Sequence, residues 1–194
     1  MTALRVTNSR SDTLRTVVSA AYSWVALIAF GGILAETIIL YPNIFHAPPD
    51  SLDLAVRFFS QTGPADFFPP MGALTVALGL AALIVVRRDR AARRWVLASL
   101  TVLLLGEFAF SALYFWPRNT IMFDEGIAVH SAETLRRVAT EFVTGHRVRL
   151  AMSALTATLA FGALRRVLIS SALARAAREQ AAHDVRMPPA PSAR

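Results

Sequence analysis

The chain of 194 residues contains no cysteine, and all twenty of its basic residues are arginine, so it has no lysine either. The first absence excludes disulfide exchange, thiolate nucleophiles and cysteine-ligated metal; the second excludes Schiff-base chemistry. Acids are scarce too, and 13 Asp and Glu against 20 Arg leave a formal charge of +7. In a soluble protein that excess would suggest nucleic acid. Here 55% of the residues are hydrophobic, mean hydropathy is positive, and the arginines flank apolar runs, where they set membrane topology. The expected partner is therefore a lipid bilayer, with no nucleic acid. Arg5, Arg10 and Arg15 before a long apolar run imitate a secretory signal, but the run is too long and no clear small-residue cleavage site succeeds it.

Four apolar spans, at about 16–40, 70–86, 95–116 and 146–170, predict an all-α integral membrane four-helix bundle. Residues 1–15 read as an N-terminal tail, 16–170 as the transmembrane domain, and 171–194 as a helix end running into a disordered, proline-containing tail. Three arginines precede the first span, five lie between the second and third, and six occur from Arg165 onward. The first outer connection holds only Arg57. A multi-pass protein of the cell membrane with both termini cytoplasmic is expected. Pro117 is expected to stop the third span. The two outer connections, each about thirty residues, are expected as long loops. The first would carry a short interfacial helix over 52–59. The second would carry an amphipathic helix beginning near Ser131 and Glu133 and feeding the fourth span, with a bend at Gly145. Small-residue stripes, Ala73, Ala77 and Ala81 on the second span and Ala154, Thr158 and Gly162 on the fourth, are expected as helix contacts.

The fourth apolar run holds fifteen residues, 150–164, before Arg165 and Arg166. At about 1.5 Å per residue it covers roughly 22 Å, short of a hydrocarbon core of about 30 Å. Arg149 is thereby drawn inside the membrane and needs a partner, and the only acids within the spans are Glu36 and Glu107. Counting back from Tyr41 and Trp116 places Glu36 roughly 7 Å and Glu107 roughly 13 Å below the outer boundary, with Arg149 about level with Glu36. Asn43, Asn119 and His146 sit at the lip. The expectation is a polar, partly hydrated pocket opening outward, with Arg149 paired to Glu36 or Glu107; the plainer reading is a buried pair that fixes helix register. Phe142, His146 and Arg149 share one helix face. A metal site built from His46, His130 and His146 is the weaker option, because no two have the close helical spacing that would make it specific.

Tyr41-Pro42-Asn43 after the first span, Pro117-Arg118-Asn119 after the third and Phe142-x-x-x-His146-x-x-Arg149 opening the fourth resemble the small four-helix membrane proteins similar to anthrone oxygenases. That family shows Pro-x-Asn and then Trp-x-x-x-His-x-x-Arg at the last two places. Phe142 departs from the tryptophan, keeping an aromatic wall and losing an indole donor. The resemblance covers the layout of residues 17–164. It implies oxidation of an anthrone-type aromatic carbon acid with dioxygen as co-substrate and no bound organic cofactor or metal. His146 would be the base, with Arg149 and Asn119 steadying the oxyanion, and Glu36, Asn43, Glu107, Phe142 and Trp116 contacting the small aromatic ligand. The alternative is a non-enzymatic membrane protein that binds or carries a lipid or small hydrophobe, or an accessory subunit. The sequence carries no mark of a particular oligomeric state.

Overall fold

The computed structural model describes residues 2–186, with side chains from 10 to 183; the expected disordered end, 187–194, lies outside the described residues. Every element among them is helical. Four helices are long and apolar enough to cross a membrane: Arg10–Ile44, Pro64–Val85, Arg90–Val129 and Ala132–His183. Long apolar helices satisfy their backbone hydrogen bonds internally, which a bilayer requires of any segment inside it.

Helix α1 (Thr2–Ala35) runs straight through the expected tail boundary and continues through a π-helical turn, Glu36–Leu40, into a short helix, Tyr41–Ile44. Helix α2 (Asp50–Phe58) lies in the first connection, with Asp50 and Asp53 in its first turn and Arg57 in its last. That order of charge suits the helix dipole. Helix α3 (Pro64–Val85) begins before the expected span because Asp66 turns back to accept the Gly63 N–H at 2.8 Å. Pro69 and Pro70, at the expected opening of this span, therefore lie inside the helix.

Helix α4 (Arg90–Thr101) is capped by Asp89, whose carboxylate accepts the N–H groups of Ala91 and Ala92 at 3.1 Å. Pro117 does not end the helix that contains the third span. Beyond α4 the chain runs on through π-helical segments Val102–Ala109 and Ser111–Phe115, the short helix Trp116–Asn119, a third π segment Thr120–Glu125 and the helix Gly126–Val129. A proline lacks the N–H for the carbonyl four residues back and crowds it, and a widened π turn just ahead relieves both faults. Pro42 comes after the π turn Glu36–Leu40 in the same way.

Gly126, at φ 54, makes the turn toward helix α5 (Ala132–Arg186), where Ser131 Oγ accepts the Thr134 N–H at 3.2 Å. The expected long loops are thus largely helical. Helix α5 is continuous through Gly145. The glycine makes a close contact possible: a Cβ there would collide with the Tyr114 ring.

Two buried layers stack along the bundle. Toward the chain termini the layer is built from small residues, Ala82, Ala92, Ala157, Ala160 and Ala163 around Tyr22. Tyr22 O–H donates to Ser99 Oγ at 2.8 Å, which donates to the Thr156 carbonyl at 2.8 Å, tying α1, α4 and α5 together. The helix contacts follow the expected stripes only in part: Gly162 on α5 lies against Trp95 of α4, so close that a Cβ would meet its ring at 2.7 Å. Thr75, Gly79, Ala82 and Val86 are buried along α3 and its C-cap, whereas Ala73 and Ala77 are exposed, as is Thr158 on α5. A strict four-residue column drifts around a helix of 3.6 residues per turn, whereas steps of four, three and four stay on one face. The layer at the other end, under the connections, is aromatic: Tyr41, Phe115 and Phe142 with Leu135, Val138 and Met122.

Candidate functional site

Three elements meet at the boundary between the layers. The π turn after α1 and the short helix behind it supply Glu36, Thr37 and Tyr41, the segment Ser111–Phe115 supplies Phe115, and α5 supplies Phe142, His146 and Arg149. Arg149 Nη2 donates to Glu36 Oε2 at 2.7 Å and to the Tyr41 hydroxyl at 3.3 Å. Of the two acids offered as partners, Glu36 is therefore the one that pairs. The guanidinium lies over the Phe115 ring, 4.8 Å from its centroid, and 5.6 Å from that of Phe68. Aromatic faces attract a cation in this arrangement and help to hold it away from water.

His146 is 1% exposed, with Tyr41 edge-on at 4.4 Å between centroids and Phe115 at 6.4 Å. Its Nε2 lies 2.8 Å from Thr37 Oγ1, and the Thr37 hydroxyl lies 2.8 Å from the Ile33 carbonyl. A hydroxyl has one proton, and a carbonyl only accepts. The network accordingly assigns that proton to Ile33 and leaves Thr37 Oγ1 to accept from His146 Nε2–H. Nδ1 is then the ring nitrogen with the lone pair. It is buried without a partner, and so is Nε of Arg149 one turn along the helix. An unpaired acceptor and an unpaired donor stand one turn apart on the same face.

The expected open pocket around Arg149 is not formed. The side chains of Glu36 and Arg149 are 4% and 13% exposed, and aromatic rings close over them. Rings, being large and apolar, fill the space that hydration would have needed. A groove of about 530 Å³ lies alongside, lined by Phe45, His46, Arg136, Thr140 and Arg147. Phe45, which lines it, packs on Phe142 with 5.3 Å between ring centroids, and Phe142 is one helical turn before His146 on α5.

The structure brings Glu36, Phe142, His146 and Arg149 together and leaves the other expected residues outside. Glu107 accepts from Thr156 Oγ1 at 2.5 Å. Thr156 is two turns beyond Arg149 on α5, so Glu107 lies a layer deeper, by about 10 Å. Asn43 is exposed and donates back to the Ile39 carbonyl at 2.7 Å. Trp116 is 59% exposed on the bundle surface, and no hydrogen bond joins Asn119 to Glu36, His146 or Arg149. The histidines offered as metal ligands stand apart: His46 Nδ1 donates to the Asn43 carbonyl at 2.7 Å, and His130 bonds Glu125. Among the described residues no three His, Asp or Glu side chains come together as a metal ion would need.

Tyr41, Thr37 and Phe115 complete the cluster, and α-helical spacing in the sequence does not find them. Tyr41 is five residues after Glu36, the repeat of a π turn. The one signal in the sequence is Pro42, which calls for a widened turn just before it. No family model, curated protein or solved structure matches the chain.

Proposed function

We propose that this is a multi-pass protein of the cell membrane, with both termini cytoplasmic, that oxidises a hydrophobic aromatic carbon acid of the anthrone type with dioxygen. The observation that carries the reading is the neighbouring pair of unpartnered buried atoms, His146 Nδ1 and Arg149 Nε. A base and an oxyanion donor are what enolate formation requires, and each gains when water is kept out. His146 Nδ1 would take the carbon-bound proton, and Arg149 Nε–H would hold the resulting oxyanion while Glu36 and Tyr41 fix the guanidinium. The electron-rich carbon then reduces dioxygen to a peroxide, which collapses to the quinone. One CH2 becomes one C=O, and one dioxygen leaves as carbonyl oxygen and water.

The groove beside Phe45 has the volume of a small-molecule site, so a flat substrate would arrive there and reach His146 by displacing Phe45 from Phe142. Asn119, which no hydrogen bond links to the cluster, drops out of the oxyanion role. Membranes bearing the parent protein should turn over anthrone, tracked by quinone absorbance, and His146→Ala should lose roughly 100-fold or more of that rate. Arg149→Lys keeps the charge and removes the Nε–H, so it should lose nearly as much. Full activity in His146→Ala and Arg149→Ala would remove both residues from the chemistry.

A second reading is favoured by the enclosure of the cluster: a non-enzymatic membrane protein whose groove holds a lipid or small hydrophobe, with the exposed Arg136 and Arg147 on its polar head. Anthrone binding by the parent without turnover would favour it.

A further inference from the structure

At the opposite end of the bundle, beside the chain termini, three elements border an open surface hollow of about 470 Å³. Arg15 comes from α1, Arg88, Asp89, Arg90 and Ala91 from the α3–α4 turn, and Arg166 from α5. One acid faces four arginines across it. Asp89 is already engaged: it caps α4 and pairs with Arg15 at 3.2 Å. Arg15 also stands 3.9 Å from Asp12, whose other oxygen pairs with Arg178 at 2.6 Å. Neither acid serves Arg88 or Arg90, which are exposed, and Arg166 reaches Asp89 only through its field. The Nε groups of Arg15 and Arg166 are buried and have no hydrogen-bond acceptor.

A hollow bordered by arginines, two with orphaned N–H donors, is short of acceptor oxygens. Burying such donors unpaired is costly, and a tetrahedral oxyanion supplies several acceptors at once. Exposed apolar side chains, Leu14 on α1 and Leu168 and Ile169 on α5, flank the same end. We propose that this cradle binds a phosphate group, presented by the headgroup of an anionic phospholipid whose chains lie against those flanking helices. Basic pockets between helices next to a membrane surface hold such headgroups by charge and by forked guanidinium bonds.

The test uses the full chain in lipid nanodiscs, comparing phosphatidylglycerol with phosphatidylcholine and reading retained lipid by native mass spectrometry. Preferential retention of phosphatidylglycerol is expected. Arg88→Gln should weaken it about fivefold, and Arg88→Gln with Arg166→Gln about twentyfold or more. Arg88 is exposed and makes no ion pair among the described residues, so its single variant keeps the fold. Arg57→Gln with Arg137→Gln, exposed at the other end and outside the groove beside Phe45, should leave retention unchanged. Inorganic phosphate forms a separate arm. If it protects the parent against thermal unfolding at millimolar concentration and displaces the lipid, the phosphate cradle stands and its source is soluble. Retention unaffected by Arg88→Gln and Arg166→Gln, or lost equally in the Arg57 and Arg137 variants, would overturn the assignment.

Discussion

The Glu36–Arg149 pair should behave as one unit in a double-mutant cycle. Arg149→Met takes from the Glu36 carboxylate, 4% exposed, the guanidinium that donates to it; Glu36→Leu leaves a guanidinium, 13% exposed, with the Tyr41 hydroxyl and the faces of Phe115 and Phe68. Removing one member of a buried pair costs about 3 kcal/mol or more, because the other stays behind uncompensated. The ring faces offset about 1 kcal/mol for the stranded cation, so Glu36→Leu should be the milder single change. The double variant strands no charge and fills the site with apolar side chains that suit its aromatic walls. It should cost about 2 kcal/mol, for the Tyr41 hydroxyl left without Arg149, and not the roughly 5 of the sum, giving a coupling of about 3 kcal/mol. Reversible unfolding in mixed micelles, monitored by circular dichroism and tryptophan fluorescence, measures all four corners. A double variant equal to the sum of the singles within about 0.5 kcal/mol would show that the pair is not coupled and that the enclosed geometry is wrong.

Gly145→Ala should destabilise by about 1–3 kcal/mol, because the new Cβ meets a Tyr114 ring that is held by its hydroxyl on the Glu141 carbonyl at 2.7 Å and by Arg118 stacked 3.7 Å above. Thermal unfolding checks it, and an unchanged midpoint would mean that α5 and the third span do not touch there. Thr156→Val should cost about 1–3 kcal/mol by removing the hydroxyl that serves the Glu107 carboxylate, with Thr156→Ser restoring most of it. Asp89 titrates outside the spans: burial pushes its carboxyl up, but the Ala92 N–H, Ser170, Arg15 and Arg166 outweigh that and hold it below the usual carboxylate range. A depressed folded value makes its contribution complete above the unfolded pKa of about 3.9 and lost as pH falls through the folded value. The gap in melting temperature between the parent and Asp89→Asn should therefore persist at pH 5 and close below about pH 4. A gap independent of pH would detach Asp89 from its arginines.

The features legible in the sequence are those that repeat with the period of an α-helix. Phe142, His146 and Arg149 stand four and three residues apart, and the structure sets them on one face of α5. The shortness of the apolar run after Arg149 drew that arginine toward an acid, and it reaches one. Choosing between the two acids needed a different argument. Glu36 and Glu107 both lie on π-helical segments, where the face turns by a smaller step per residue, so depth counted in α-helical rise cannot say which way either side chain points. The same widening carries the chain past Pro42 and Pro117, each of which reads in sequence as a stop.

Those prolines are the link between backbone and site. Each removes an N–H from the helix ladder, and each comes just after a π turn, Glu36–Leu40 or Ser111–Phe115. The first of these turns presents Glu36 and Thr37 to α5 with Tyr41 closing over them, and the second presents Phe115. An α-helical continuation would rotate these side chains away from α5 and leave Arg149 inside an apolar layer with no acceptor. The ion pair and the two widened turns therefore depend on each other: the turns exist because proline forbids the ordinary ladder, and the cost of the looser hydrogen bonding is offset by a charge that could not be buried otherwise.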